Sequence, residues 1–83
     1  MTDSRIASRV DALIRRVFEV DTAAFHDGTG RGDLERWDSL GHLALVEALR
    51  DEFAVDIPPE QALDMETIAD IKRIMGAMMD GKQ

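Results

Sequence analysis

Cysteine is absent from the 83 residues, which excludes a disulfide framework, a thiolate nucleophile and a zinc site of the Cys/His type. Aromatic residues make up only 5% of the chain, so the packing has to come from aliphatic side chains. Long apolar runs are missing too. The longest strongly apolar stretch is Leu43 to Val46, and the N-terminus opens with Asp3, Arg5 and Arg9. The chain is therefore expected to have no signal peptide and no membrane span, and to be cytoplasmic. Positive charge is scarce where nucleic acid would need it. Residues 19–70 hold three arginines against fourteen acids, between mildly basic ends, and the net charge is -7. Phosphate binding relies on clustered Lys and Arg, so no nucleic-acid partner is expected, and a basic protein surface suits the acidic body better.

What is present reads as one small domain over residues 1–83, too short for a large α/β sheet or a deep enclosed active site. Ile6, Val10, Leu13, Ile14, Val17 and Phe18 predict an amphipathic helix over about 5–19, with Asp3 or Ser4 as cap. The period then disappears. Residues 20–37 form a long connection containing three glycines between 28 and 32, with Phe25, Leu34 and Trp37 as anchors and mobility expected around the glycines. Leu40, Leu43, Val46, Leu49 and Phe53 predict a second helix over 39–53, with Asp38 in cap position. Pro58-Pro59 starts a short helix over 59–64. Thr67-Ile68-Ala69-Asp70 resembles a capping box with Asp in place of Glu, opening a last helix over 67–79. The expected class is all-α: a small bundle of three longer helices and one short one, with the long loop between the first two.

Trp37-Asp38-Ser39-Leu40 stands where the glycine-rich loop meets the second helix, with Asp51-Glu52-Phe53 at that helix's end, Ile57-Pro58 beyond and Thr-Ile-Ala-Asp at the start of the last helix. In this setting the chain resembles the acyl carrier protein family, over nearly its whole length. The resemblance implies a stand-alone, monomeric, non-catalytic carrier. It makes Ser39 the attachment site of a 4′-phosphopantetheine arm, transferred from coenzyme A by a phosphopantetheinyl transferase, whose thiol carries acyl groups as thioesters. It also implies acyl-loading and acyl-processing partners with basic surfaces, met by Asp38, Leu40, Glu47, Asp51, Glu52 and Glu60. Apart from any family, a serine on a loop edge at a helix N-terminus is exposed, and the free N–H groups and positive dipole end there favour an attached phosphodiester.

Leu49, Ile68, Ile71, Met75 and Met78 are expected to share one apolar space that shelters an acyl chain, although methionines at helical spacing also serve as plain core. Other readings of the same residues are weaker. Taken alone Ser39 reads as an ordinary capping residue, a preference that the pattern of the whole chain reverses. Ser39 with His42 and Asp38 as a nucleophilic site lacks a sheet and the first glycine of a nucleophile elbow. His42 reads instead as half-exposed beside the arm, and His26 as solvated. A calcium loop starting at Asp27 and closing at Asp38 puts Arg31 at a ligand position, where a cation repels the ion. Against fatty-acid-synthase members of the family, Gly41 and Ala44 stand where acids are common, and Arg50 interrupts the acidic cluster. The expected role is acyl carriage in fatty-acid, polyketide or specialised acyl synthesis, and these departures, which thin the negative face of the second helix, point toward a specialised or secondary-metabolite pathway rather than housekeeping synthesis. A peptidyl or aminoacyl carrier and an unmodified acidic interaction module are the alternatives.

Overall fold

Helix α1 spans Ser4–Phe18, α2 Ser39–Phe53, α3 Pro59–Asp64 and α4 Ile68–Asp80 in the computed structural model, which describes residues 4–80. A single 3₁₀ turn, Thr22–Ala24, interrupts the long loop. The all-α expectation holds. Of the two proposed caps of α1, Asp3 lies outside the described residues and Ser4 is already helical.

Each helix end has a local chemical cause. Asp38 accepts a hydrogen bond from the Gly41 N–H at 2.8 Å and so caps α2. Thr67 and Asp70 cap α4 reciprocally: the Thr67 N–H donates to Asp70 Oδ2 and the Asp70 N–H to Thr67 Oγ1, both at 3.1 Å. Desolvation pushes the Asp70 carboxyl up, but the bonds from Arg73, Thr67 and Glu66 outweigh it and hold the group below its ordinary value. The two long helices α1 and α2 stop alike. Glu19 and Ala54 turn left-handed, each at φ 54°, and the next N–H, of Val20 or Val55, returns to the carbonyl of Arg15 or Arg50. Glu19 thus leaves the helix that periodicity assigns it to.

Helix α1 packs against α2 and α4 around a core that includes Val10, Leu13, Ile14, Phe18, Trp37, Leu45 and Met65. The buried face of α2 is His42, Leu45, Leu49 and Phe53, so Leu49 and Phe53 are buried as expected while His42 and Leu45 take the places expected of Leu40, Leu43 and Val46. Leu40 and Leu43 are 76% and 63% exposed. A step of three residues advances about 300° around a helix, so a run of threes from Leu40 to Leu49 winds halfway round it. Steps of three, four and four from His42 to Phe53 stay on one side.

The glycine-rich segment is fastened to α4 instead of standing free. Ile68 and Ala69 N–H groups donate to the carbonyls of Thr29 (3.0 Å) and Asp27 (2.8 Å), and Arg31 N–H donates to Glu66 O (3.0 Å). The loop backbone therefore receives donors that a helix N-terminus leaves open. Lys72 adds ion pairs to Asp27 at 2.6 Å and Asp11 at 3.0 Å, joining α4 to the loop and to α1. Desolvation would lower the Lys72 pKa, but the bonds and charges of these two aspartates raise it. Asp27 is thereby engaged by a cation of the chain itself, against the calcium-loop reading.

The loop's other end presses on α2 at Gly41. A Cβ built there would run into the Arg36 carbonyl oxygen. Alanine in a helix is favoured over glycine by about 1 kcal/mol, whereas forced overpacking costs about 1–3 kcal/mol. Gly41→Ala is therefore expected to lower the urea midpoint despite its better helix propensity. An unchanged or higher midpoint would show that the loop yields freely at Arg36.

Candidate functional site

Ser39 is the first residue of α2 and is exposed. Asp38 caps the helix, and the Ser39 hydroxyl takes no partner among the described residues. The capping reading of Ser39 thus passes to its neighbour. An unpaired, solvent-facing hydroxyl beside the N–H groups of a 15-residue helix fits a covalently held phosphodiester, whose charge the dipole end stabilises.

His42, one turn further, is buried at 8% exposure, not half-exposed. Trp37 Nε1–H donates to His42 Nδ1 at 3.1 Å, and His42 Nε2 lies 2.8 Å from the Ala62 carbonyl. Since Nδ1 accepts, Nε2 carries the hydrogen and donates to Ala62, which defines a neutral tautomer. Trp37 is itself fully buried, stacked on Phe18 (centroids 5.6 Å), with the nearly parallel His42 ring beside it (6.3 Å). With both nitrogens engaged inside the fold, His42 is not a base for Ser39.

An apolar cleft of about 420 Å³ opens between α2 and α3. His42, Leu43 and Val46 of α2 line one side and Ile57, Pro59, Ala62 and Leu63 the other, with the His42–Ala62 hydrogen bond joining the two. Leu63 is 68% exposed. Helix α3 buries none of its six residues. Its later carbonyls are held from outside, Ala62 by His42 and Leu63 by Arg31 Nη2 at 2.9 Å. Leu49, Ile68, Ile71 and Met75, expected to share one apolar space, do so as fully buried members of the core, with Met78 packed against it; none of them lines the α2–α3 cleft. Sequence reasoning did not foresee Val46, Ile57 and Leu63 as the lining of a cleft, although a large apolar residue in a six-residue helix directly after Ile57-Pro58-Pro59 was the available signal.

The expected partner residues divide. Leu40, Glu47 and Asp51 share the exposed face of α2 with Leu43, and Glu60 is exposed on α3. Asp38 is exposed at the cap. Glu52 turns toward α1, where Arg9 donates to its carboxylate at 3.1 and 3.2 Å and to its carbonyl at 2.7 Å. The same Arg9 lies 4.3 Å over the Phe53 ring. No group of His, Asp or Glu among the described residues is arranged to hold a metal. No described helix is long and apolar enough to cross a membrane.

Comparison with known proteins agrees with this geometry. The family model for the phosphopantetheine attachment site matches residues 8–74. The chain is 40% identical over 63 residues to the acyl carrier protein of Treponema pallidum (strain Nichols), covering 75% of this chain and 80% of that protein. It is 31% identical over 71 residues to the acyl carrier protein of Thermosynechococcus vestitus, covering 86% and 88%. The chain belongs to the acyl carrier protein family. Members of the acyl carrier protein family are carriers rather than catalysts, and membership implies a covalently bound 4′-phosphopantetheine prosthetic group.

His42 also gives this acyl carrier protein fold a pH dependence. Burial lowers its pKa below the ordinary 6.5, the Ala62 hydrogen bond opposes that shift, and the nearby Arg31 charge adds to it. The unfolded chain takes up a proton near 6.5 that the folded chain resists. Stability is therefore at its full value above that pH, falls as pH drops through it, and levels off below the folded-state pKa. The urea midpoint should decline as pH falls through about 6.5, and the decline should shrink in His42→Gln. Identical pH dependence in the variant would assign the effect to other groups.

Proposed function

We propose that the chain carries acyl intermediates as thioesters on a 4′-phosphopantetheine arm attached at Ser39. The observation that supports this reading most is the division of labour at the start of α2, where Asp38 caps the helix and leaves the Ser39 hydroxyl exposed and unbonded. In the attachment step, a phosphopantetheinyl transferase directs Ser39 Oγ onto the phosphorus of coenzyme A that bears the pantetheine. The Oγ–P bond forms, the pyrophosphate P–O bond breaks, 3′,5′-adenosine bisphosphate leaves, and the hydroxyl proton passes to a base or water of the transferase site. Once bound, the arm supplies a thiol for thioester chemistry. The chain's own part is to hold that arm, shelter the acyl group in the α2–α3 cleft, and present Asp38, Leu40, Glu47, Asp51 and Glu60 to basic enzyme surfaces.

Gly41 favours a specialised acyl pathway over bulk fatty-acid synthesis. Its place two residues after Ser39 is closed to any side chain by the Arg36 carbonyl, so the acid common there in fatty-acid-synthase members has no room. Fewer acids on the exposed face of α2 suit partners whose basic patch is smaller or set lower on the helix.

Ser39→Ala should abolish the mass gain of one phosphopantetheine after treatment with transferase, coenzyme A and magnesium, while changing stability by no more than about 0.5 kcal/mol. Asp38→Ala should cost about 1 kcal/mol by removing the cap. A Ser39→Ala protein that still gains the arm would place the site elsewhere. For a verified partner enzyme, charge reversal at Glu47 and Asp51 should slow association and flatten its dependence on salt. A salt-independent association rate in the unaltered protein would count against electrostatic docking.

A further inference from the structure

We propose that His42 fixes the depth of the α2–α3 cleft and so restricts its occupant to short acyl groups, a reading that rests on the carrier function proposed above. Leu43 lies one turn after Ser39 on the same side of α2, so the cleft mouth is within immediate reach of an arm attached there. The walls are apolar apart from His42. Its Nε2–H bond to the Ala62 carbonyl runs from one wall to the other at 2.8 Å, and Ala62 is itself a lining residue. On the imidazole's other side stands Trp37, fully buried and hydrogen-bonded to it. The inner end of the cleft is thus a hydrogen bond backed by an aromatic side chain, rather than a yielding aliphatic surface.

Magnitudes make this bond a threshold. An acyl chain gains about fourfold in sheltered occupancy for each methylene it buries. To pass between α2 and α3 into the core, it must part His42 from Ala62 and leave a buried N–H and a buried carbonyl without partners. Each of those costs about 5- to 160-fold in occupancy. The two together consume the gain from about two to seven further methylenes, before any cost of displacing Trp37 from its stack on Phe18. Short acyl groups fill the cleft without meeting that barrier. Longer ones keep their added methylenes in solvent.

The test loads the holo protein with straight-chain acyl groups from acetyl to dodecanoyl and follows methyl resonances of Leu43 and Leu63, the indole N–H of Trp37, and the rate of thioester hydrolysis. In the unaltered protein the Leu43 and Leu63 shifts should saturate at a short chain, the indole signal should stay in place throughout, and protection from hydrolysis should reach a plateau. His42→Thr, whose side chain is too short to span to Ala62, should saturate several carbons later. His42→Gln, which keeps an N–H donor, should saturate nearer to the unaltered protein. An indole signal that moves progressively with chain length in the unaltered protein would overturn the role of His42 while leaving the cleft reading intact, and it decides the matter even if the variants fail to fold. Leu43 and Leu63 methyls unmoved by every acyl group would overturn the cleft reading itself.

Discussion

Trp37 must lose its contact with water without losing a partner for its N–H, and much of the architecture follows from how that is arranged. The indole is fully buried, so its donor would cost about 1–3 kcal/mol if left unpaired. His42 accepts it and passes the demand on to Ala62. One chain of hydrogen bonds thereby joins the end of the long loop, the first turns of α2 and the last turn of α3, while stacking against Phe18 brings in the end of α1. Helix α3 has no buried side chain to hold it. Its place over α2 depends on such polar ties from outside.

The loop is fixed at two levels. At its glycine-rich stretch the backbone accepts donors from the start of α4, and Lys72 draws Asp27 and Asp11 together. At its far end the Arg36 carbonyl sits against Gly41 so closely that only hydrogen fits. Ser39 lies within the short segment closed both by this contact, Arg36 to Gly41, and by the Trp37–His42 hydrogen bond. Its position is therefore set by contacts on both sides of it in the chain, although the residue itself is exposed.

Local features were legible in the sequence because their partners are three or four residues apart. Thr67 with Asp70, Asp38 at its cap and Pro59 at the start of α3 all fall where residue chemistry put them. The face of α2 was ambiguous because Leu40, Leu43, Leu45, Val46 and Leu49 surround more than half of the helix. Periodicity cannot choose among them without knowing what packs alongside. The burial of His42 was hidden for a different reason: its acceptor is a backbone carbonyl 20 residues away, and a carbonyl has no residue type to recognise. The cleft depends on the spacing between α2 and α3, which no single segment encodes. Gly41 did carry a signal, since glycine inside a helix is costly, but reading it only as a missing acid overlooked the close approach that requires it.

Many of the ties that cross between segments end on main-chain atoms. Arg9 reaches the Glu52 carbonyl, Arg31 that of Leu63, His42 that of Ala62, and the first N–H groups of α4 those of Thr29 and Asp27. Main-chain acceptors are indifferent to mutation of the residue that carries them. The donors His42, Arg31 and Arg9 are constrained, while the receiving positions are free to change shape and charge without loosening the fold. Evolution can thus re-dress the surface of α3 for a new enzyme while the frame beneath stays put, and pairs of positions joined in this way would leave little trace of correlated substitution.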